Sequence, residues 1–417
     1  MAKPTGSACN LACRYCYYLE KANFTGAGLG SQKRLEGPLL ETFIREYIEI
    51  QDTEEIGFAW QGGEPTLLGV DYFQEVVALQ KRFCPPGKKI SNALQTNGSL
   101  LNDDWGRFFR ENGFLIGISI DGPASLHDAY RVDRSDRPTH AKVMEGLGLL
   151  KQHLVEYNTL TVVSKRNSRH PLEVYDFLKR HGSGFMQFIP LVERRFDPAH
   201  LAPPPDPEHP KAEEWELAPW SVRAEDYGQF LTAIFDKWVR YDMGKVFIQL
   251  FDVQLGLHLG MPSSLCVFAG ECGRGLALEQ DGSVYSCDHY VYPSYRLGKL
   301  GETALGDMVS GPVQAGFGRG KRTGLPTTCR ECPDLHLCNG ECPKHRIALS
   351  PDGEPGMNVL CAGYRHFFRH TRPYFGQMAA LLRSGRPATD LMPLLAEREG
   401  RVKSRLNVSG QAQKLPR

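Results

Sequence analysis

Three cysteines near the start of the chain constrain its fold more than any other feature of the sequence. They lie in the segment Cys9-Asn-Leu-Ala-Cys13-Arg-Tyr-Cys16. Three thiolates at this spacing can bind three irons of one [4Fe–4S] cluster, which selects soft ligands, and leave the fourth iron open. The alternatives are a zinc site or core cysteines, but structural zinc takes four ligands, usually as two close pairs. The spacing therefore favours a cluster with one open coordination position.

The composition predicts a large core and no dominant surface charge. The chain has 417 residues, with 49 Lys and Arg against 48 Asp and Glu, and this length predicts two or three domains. The near-zero net charge argues against a dedicated binder of nucleic acid or of membrane surfaces. No apolar run reaches the roughly 18 residues of a spanning helix, and the first residues do not resemble a secretory signal. We therefore expect a soluble, cytoplasmic protein.

Twelve cysteines need a chemical explanation. A chain of this length in a reducing compartment is not expected to use a disulfide scaffold, so metal binding is the better interpretation. Three cysteines form the N-terminal triplet and eight lie in the C-terminal half. Cys84, which precedes Pro85 at a predicted helix end, is interpreted as structural.

Up to about residue 195, the apolar periodicity alternates between that of helices and that of strands. This alternation predicts parallel strands joined by right-handed crossovers, and hence an α/β fold. The predicted helices are 38–48, 71–83, 102–112, 139–153 and 170–181. The predicted strands are 56–60, 90–96, 114–120, 157–164 and 184–191.

Polar motifs follow the carboxyl ends of the predicted strands, where α/β barrels carry their active sites. These motifs are Gln61-Gly-Gly-Glu-Pro65, Gln95-Thr-Asn-Gly98, Ser119-Ile-Asp-Gly-Pro123 and Gln187-Phe-Ile-Pro-Leu191. The proline-rich residues 197–220 then predict a surface loop. Residues 221–241 predict an amphipathic helix whose core face holds Phe230, Ile234, Phe235 and Trp238.

The later cysteines form a second group of potential ligands. They are Cys266, Cys272, Cys287, Cys329, Cys332, Cys338, Cys342 and Cys361. Eight thiolates can bind two [4Fe–4S] clusters or two zinc ions, and their spacing alone does not separate these interpretations.

The N-terminal triplet, with Tyr15 just before its last cysteine, resembles the radical S-adenosylmethionine (SAM) family. In that family the open iron chelates the amine and carboxylate of SAM, and reduction of the cluster yields a 5′-deoxyadenosyl radical. The cofactor carries the chemistry, while the protein binds and orients it. The resemblance implies a partial (β/α)6 barrel. Residues 1–8 are fewer than the family's first strand normally occupies, so a truncated start and a missing first strand are open questions.

The same resemblance implies the SAM-binding residues. Gly62-Gly63-Glu64-Pro65 is similar to the family's GGEP motif, in which backbone groups and the acid hold the SAM ammonium and the glycines permit close backbone approach. The other implied SAM contacts are Tyr15 (adenine), Ser119 (ribose), Arg131 (carboxylate) and Leu191 (adenine). The residues expected to face a peptide at the same edge are Tyr18, Gln61, Asn97 and Asp121.

The order of the eight later cysteines resembles the SPASM extension of radical SAM peptide modifiers, which holds two auxiliary [4Fe–4S] clusters. The implied ligands of the first auxiliary cluster are Cys266, Cys272, Cys287 and Cys342. Those of the second are Cys329, Cys332, Cys338 and Cys361. The chain would thus hold three [4Fe–4S] clusters, two of them fully ligated by protein and suited to electron transfer.

Residues 278–293, with Asp288 directly after Cys287, resemble anaerobic sulfatase-maturating enzymes, in which that acid is the catalytic base. The resemblance implies oxidation of a Cys or Ser in a sulfatase C/S-x-P-x-R segment to Cα-formylglycine. The radical takes a β-hydrogen, Asp288 accepts the thiol or hydroxyl proton, and the auxiliary clusters accept an electron. The base would work better if burial raised its pKa towards neutrality, an effect that nearby cationic groups would oppose. His289 is the rival base, and neighbouring strand side chains point oppositely, so only one should face the substrate.

The implied partners are an unfolded or nascent sulfatase segment and an external one-electron donor such as flavodoxin or ferredoxin. Two alternatives remain open. One is a SPASM peptide maturase that forms thioether or carbon–carbon crosslinks on a ribosomal peptide, and the other is a zinc-binding interaction module without catalysis. The expected division is a barrel at 1–220, a bridging helical segment at 221–264, a cysteine-rich domain at 265–370 and a C-terminal tail at 371–417.

Overall fold

A mostly parallel sheet with helices packed against it forms the centre of the molecule. The computed structural model describes residues 1–25, 33–197, 201–204, 215–273 and 275–398. The strands in these ranges are β1 Ala2–Lys3, β2 Glu55–Trp60, β3 Lys89–Thr96, β4 Phe114–Ser119, β5 Tyr157–Val163, β6 Phe185–Pro190, β7 Arg194–Arg195, β8 Glu216–Leu217, β9 Phe247–Ile248, β10 Ala277–Glu279, β11 Ser283–Tyr285, β12 Arg296–Lys299, β13 Ala348–Leu349 and β14 Pro355–Met357. The α-helices with both ends in these ranges are α1 Ala22–Thr25, α2 Gly37–Glu49, α3 Gly69–Phe83, α4 Asp103–Glu111, α5 Ala124–His127, α6 His140–Gln152, α7 Pro171–His181, α8 Ala224–Tyr241, α9 Gln249–His258, α10 Leu305–Ser310, α11 Pro312–Thr323, α12 Thr327–Arg330, α13 Leu335–Cys338 and α14 Cys361–Arg383. Residues 391–398 are also helical.

Six strands lie in the sheet in the order of the sequence. β1 to β6 pair side by side, each parallel to the next, and β9 adds beyond β6. Helices connect these strands as parallel pairing requires, which confirms the predicted α/β class and the partial barrel. β1 has only two residues, yet its Ala2 pairs with Trp60 of β2. The first strand, which the sequence left open, is therefore present in a short form.

The cysteine-rich C-terminal part joins the same sheet at β1. Ala2 and Lys3 pair with Leu278 and Glu279 of β10, and β11 and β12 continue the sheet in antiparallel pairs. Within the described residues the sheet has ten strands. Lys3 and Glu279 are both buried, so this junction places two opposite charges inside the molecule.

The predicted elements of the barrel are confirmed, and their ends differ from the observed ones by two residues at most. Asn102 caps α4, because its side chain accepts a hydrogen bond from the Trp105 amide at 3.1 Å. In the proline-rich loop, residues 198–200 and 205–214 lie outside the described ranges. Of the rest, residues 216–217 form β8, which pairs with β7, so that segment is not entirely loop.

Two long helices form a second core beside the sheet. The predicted apolar face of α8 is confirmed, since Phe230, Ile234, Phe235 and Trp238 are all buried. Phe235 contacts the rings of Phe367 and Phe375 on α14. α14 extends beyond residue 370, into the segment that was expected to be a poorly patterned tail. None of the described helices has the length and apolarity needed to cross a membrane. The division into four domains stays a prediction.

The contact between α8 and α14 depends on glycine at position 363. A Cβ on Gly363 would lie 2.0 Å from the carbonyl oxygen of Ala224. We expect Gly363→Ala to lower stability by about 1–3 kcal/mol, because the helices must separate to accept the methyl group. The measurement is the apparent melting temperature of anaerobically reconstituted protein.

Gly376→Ala is the matched control in the same helix. A Cβ at Gly376 would have nothing within 4 Å, so helix propensity should stabilise this variant by about 0.5–1 kcal/mol. Equal melting temperatures for the two variants would contradict the close helix contact.

Candidate functional site

The triple-cysteine segment forms a loop directly after β1, and the GGEP segment holds one side of it. The amides of Gly63 and Glu64 donate hydrogen bonds to the carbonyl oxygens of Gly6 (2.7 Å) and Ala8 (2.8 Å). A Cβ on Gly63 would lie only 2.0 Å from the Ala8 oxygen. Glycine is therefore required at position 63 for the two loops to approach each other.

The segment after α5 holds the other side of the same loop. The amide of Ala12 donates to the Val132 carbonyl at 2.9 Å, and that of Arg14 donates to Tyr130 at 2.9 Å. Arg134 donates from Nε to the Cys9 carbonyl, also at 2.9 Å. The loop is thus fixed from two sides.

The three thiols lie in a setting that suits ligation and does not suit free thiolates. Burial raises the pKa of Cys9, Cys13 and Cys16, to about 12 for Cys13. The charge of Glu64 and, to a smaller extent, those of Cys16 and Cys13 raise the pKa of Cys9 further, so the three thiols lie within electrostatic range of one another. Metal binding removes this penalty because ligated thiols are deprotonated. The donor set therefore fits an iron–sulfur cluster bound by three thiolates.

Glu64 of the GGEP segment is fully buried and bound by the protein itself. Its Oε1 accepts hydrogen bonds from the amide and hydroxyl of Thr66 and from the Thr96 hydroxyl, at 3.1, 2.6 and 2.7 Å. Its Oε2 accepts from the Asn97 amide at 2.7 Å. These bonds connect the ends of β2 and β3. This differs from the expectation that the acid itself contacts the SAM ammonium, and it leaves the backbone groups of the motif for that role.

Two of the expected SAM contacts meet at Asp121. The Tyr15 hydroxyl donates to Asp121 Oδ2 at 2.6 Å, and Arg131 Nε donates to the same oxygen at 3.0 Å. Asp121 Oδ1 accepts from the Val162 amide at 3.0 Å. Burial lowers the pKa of Arg131, but the Asp121 charge outweighs it and raises the pKa above its ordinary value. This cluster holds a permanently charged guanidinium beside the cysteine loop.

The remaining predicted SAM contacts occupy neighbouring strand ends. Ser119 is buried at the end of β4. Leu191 follows β6 and is also buried, with its amide bonded to the Val163 carbonyl at 3.0 Å. The structure thus places both at the carboxyl edge of the sheet, as the sequence predicts.

The four expected peptide contacts all have partners within the protein. Tyr18 donates to Glu279 of β10 and lies under the Lys3 ammonium, 3.8 Å from the ring centre. Asn97 Nδ2 donates to Asn10 Oδ1 at 2.9 Å. Gln61 contacts the Met1 sulfur, and Asp121 belongs to the buried cluster described above. Contact with a peptide through these groups stays a prediction.

Asp288 and His289 both face Tyr17, the residue after Cys16. Tyr17 donates from its hydroxyl to Asp288 Oδ2 at 3.1 Å, and its ring meets that of His289 edge-on at 5.5 Å. His289 Nδ1 also lies 3.5 Å from Cys342 Sγ. Asp288–Tyr290 is a 3₁₀ turn. The argument from opposite strand faces is therefore wrong, because in this turn both side chains reach the same tyrosine.

The pKa of Asp288 lies below its ordinary value. Burial raises it, but positive charge on His289 and Lys3, together with hydrogen bonds from Tyr17 and Cys287, favours the ionised form and outweighs burial. Burial lowers the pKa of His289 to about 4, so the imidazole is neutral near pH 7 and contributes its charge only at lower pH. Near pH 7, Lys3 and the hydrogen bonds from Tyr17 and Cys287 are the groups that favour the ionised form of Asp288.

Electrostatic effects link the eight later cysteines in two sets. Besides the larger effect of burial, the charge of one thiol raises the pKa of another within a set, as Cys266 does for Cys287 and Cys361 does for Cys338. Linked in this way, one set contains Cys266, Cys272, Cys287 and Cys342, and the other contains Cys329, Cys332, Cys338 and Cys361. The two sets agree with those that the resemblance implies, and their assignment to two clusters stays a prediction.

Sequence reasoning gave no role to Tyr17 or to Lys3. Tyr17 was available as an aromatic residue beside the last cysteine of the triplet, but its partner Asp288 lies far along the chain. Lys3 is an isolated basic residue in the sequence, and only the pairing of β1 with β10 shows that it is buried. For neither residue does the neighbouring sequence indicate the contact that it makes in the structure.

Comparisons with known proteins agree with this geometry. Residues 4–178 match the radical SAM superfamily, and residues 266–333 match an iron–sulfur cluster-binding domain named SPASM. These matches define a radical SAM enzyme, which implies a [4Fe–4S] cluster and SAM, with further iron–sulfur binding in its C-terminal part.

Full-length relatives give a narrower family. A serine-type anaerobic sulfatase-maturating enzyme from Bacteroides thetaiotaomicron is 43% identical over 95% of each chain. A cysteine-type enzyme from Clostridium novyi is 34% identical over 88% of this chain and 93% of its own. Native anSMEcpe with bound AdoMet and the Cp18Cys peptide matches with a TM-score of 0.77 and 32% identity, over 91% of this chain and 98% of that one. The chain belongs to the anaerobic sulfatase-maturating enzymes, which sets aside the zinc-binding alternative.

The close approach of the cysteine loop to Gly63 can be tested by adding one methyl group. Gly63→Ala should displace the Ala8 carbonyl and with it the cysteine loop, so iron at the triplet and SAM cleavage should both fall by an order of magnitude or more, as misplacement by about 1 Å allows. Iron analysis and 5′-deoxyadenosine release measure the two effects. Gly148→Ala, where a Cβ meets nothing within 4 Å, is the control, and equal iron in the two variants would contradict the prediction.

Proposed function

We propose that this chain oxidises a Cys or Ser side chain in a sulfatase segment to Cα-formylglycine. The observation that carries the proposal is the Tyr17 hydroxyl, which follows a cluster-loop cysteine and donates to Asp288 beside Cys287. This contact brings the predicted base to the radical-generating loop. The names of the relatives, serine-type and cysteine-type sulfatase-maturating enzymes, support the substrate.

The bound groups and their ligands follow from the same proposal. When bound, SAM and the clusters supply the radical that removes the substrate β-hydrogen and the acceptors for one electron. Cys9, Cys13 and Cys16 would hold the first cluster, and the two sets of four later cysteines would hold two auxiliary clusters. The backbone of Gly63 and the side chains of Tyr15, Ser119, Arg131 and Leu191 would hold SAM.

Asp288 would accept the proton from the substrate. Lys3 and Tyr17 favour its ionised state, in which the carboxylate can accept a proton. A carboxylate with a low pKa is a weak base. Proton transfer to it would therefore be favourable only as oxidation withdraws electron density from the substrate oxygen or sulfur. Tyr17 would orient the carboxylate for this step.

A narrow cleft of about 10 Å³, room for about one water molecule, lies beside the same residues. It is lined by residues of the cysteine loop, the strand-end segments and the SPASM part, among them Tyr17, Glu193, Pro203, His289 and Lys344. Lys344 pairs with Glu193 and lies over the Tyr17 ring, 4.1 Å from its centre. An extended or nascent sulfatase segment that approached the site from this side would have to widen the cleft.

The proposal also covers the choice between serine and cysteine substrates and the external electron donor. Serine-type relatives are 38–43% identical and cysteine-type relatives 32–34%, so we expect a serine peptide to be a substrate. An external one-electron donor such as flavodoxin or ferredoxin would reduce the first cluster. A cytoplasmic site of action agrees with the thiolate ligands, which need a reducing compartment.

The proposed activity can be tested by anaerobic incubation with reductant, SAM and sulfatase-derived C/S-x-P-x-R peptides. In mass spectra, the serine peptide should lose two hydrogen atoms, and a cysteine peptide should also exchange sulfur for oxygen. If an aldehyde has formed, both products should react with a hydrazine to give hydrazones. Unchanged peptides together with full SAM cleavage would refute the proposed substrate.

Asp288→Asn should separate radical formation from product formation. SAM cleavage should persist, because it needs no base, while formylglycine should fall by about 10²–10⁴-fold, the usual contribution of a general base. The assay counts 5′-deoxyadenosine and formylglycine in the same sample.

Two variants complete that experiment. Asp281→Asn makes the same chemical change in the turn before β11, where the side chain bonds to Ser283, and should leave both products unchanged. His289→Asn tests the rival base. Full product from Asp288→Asn with a large loss from His289→Asn would reverse the assignment.

A further inference from the structure

Five consecutive residues, Cys338 to Cys342, connect the two proposed auxiliary clusters. Cys338 belongs to one set of thiols and Cys342 to the other. The three residues between them, Asn339, Gly340 and Glu341, have φ values of +48°, +70° and +54°. This left-handed backbone is unfavourable for Asn and more so for Glu, and such strain persists only where the surrounding structure enforces it.

The guanidinium of Arg346 stabilises this left-handed segment. Nε donates to the Gly340 carbonyl at 2.9 Å, and Nη2 donates to the carbonyls of Asn339 (2.9 Å) and Glu341 (3.3 Å). Nη1 donates to the carbonyl of Lys321. All three carbonyls of the left-handed residues thus converge on one cation.

Arg346 is also a buried positive charge without a direct ion-pair partner. It is 7% exposed, and no ion pair within 4 Å connects it to an acid in the described part of the chain. The carboxylate of Glu341 is bonded to His345 (2.9 Å) and Asn358 (2.6 Å) instead. The charges within electrostatic range of Arg346 are thiols of both sets, among them Cys272, Cys342 and Cys338, and then Glu341.

We propose that Arg346 is a positioning residue for electron transfer between the two auxiliary clusters. It fixes the segment that carries one ligand of each cluster, and its charge favours the reduced state of both. The inference rests on the proposed function, which assigns four cysteines to each cluster. One electron would leave the substrate radical for one cluster, pass to the other, and be taken up by an external one-electron carrier.

The physical reason is the sign of the charge that reduction adds. A cluster gains one negative charge when it accepts an electron, and a nearby buried cation stabilises that state in a medium of low dielectric constant. An exposed cation at the same distance is screened by water and salt. Arg330 is such a residue, since it is exposed and within range of Cys329.

The test is an EPR-monitored potentiometric titration of the reconstituted full chain. In Arg346→Met, the midpoint potentials of both auxiliary clusters should fall. At a fixed potential, the ratio of reduced to oxidised cluster should change about tenfold, which corresponds to about 59 mV for one electron. Arg346→Lys should restore most of the shift because it retains the charge. Arg330→Met, the matched exposed change, should shift the ratio less than about twofold.

A second measurement is the amount of formylglycine made for each SAM molecule that is cleaved. SAM cleavage should be unchanged in Arg346→Met, while formylglycine per 5′-deoxyadenosine should fall, because electrons leave the substrate radical more slowly. If this variant does not retain its iron, Arg346→Gln keeps a donor for the loop carbonyls without the charge and takes its place. Wild-type potentials in an iron-replete Arg346→Met or Arg346→Gln protein would overturn the proposal.

Failure of the inference differs from failure of the proposed function. Wild-type enzyme that shows two auxiliary signals but makes no formylglycine would refute the function and leave the potentials measurable. Wild-type protein without two such signals would refute the ligand assignment on which Arg346 depends. Equal shifts in Arg346→Met and Arg330→Met would refute the role of burial.

Discussion

Sulfur atoms held close together in a buried site are the constraint on which the rest of this structure depends. A buried thiolate without a partner is costly, and neighbouring thiolates add repulsion. The cysteine loop and both C-terminal sets are arranged in this way, and burial raises the pKa of Cys9, Cys287 and Cys342. Ligation removes the cost, so the protein gains stability from the groups that it binds. Much of the surrounding structure, from Gly63 to Arg346, holds the segments that carry these cysteines in place.

The interior between the two halves contains more charge than an ordinary core. Lys3, Glu279, Glu193 and Lys344 are all largely buried near Tyr17 and Tyr18. Buried charges rarely add stability compared with apolar residues of equal size, so their presence indicates a functional requirement. In this enzyme Lys3 lies over the Tyr18 ring and Lys344 over the Tyr17 ring, and Lys3 helps to keep Asp288 ionised. The resulting environment is polar but closed, which suits a site that must control both a radical and a proton.

Much of the fold could be predicted from the sequence because its signals are local. Alternating periodicity located the barrel strands, and Asn102 marked a helix start. The cysteine spacing and the acid after Cys287 pointed to the candidate site. The remaining features depend on contacts between distant segments. The 3₁₀ turn at Asp288, the burial of Glu64 by Thr96 and Asn97, and the low pKa of Asp288 all arise from neighbours that no local pattern specifies. Proline composition likewise did not indicate the pairing of β8 with β7.

The pairing of β1 with both β2 and β10 has a consequence for how the protein is made. Ala2 leaves the ribosome long before its partner Leu278, which lies far along the chain. Contacts between such distant segments form slowly, because a long loop must close before they contribute. The cysteine loop is attached to β1, so its final geometry has to wait for the C-terminal half. Iron–sulfur insertion at the radical-generating site should therefore be a late, post-translational step, and a nascent barrel alone would be a poor acceptor for delivered clusters.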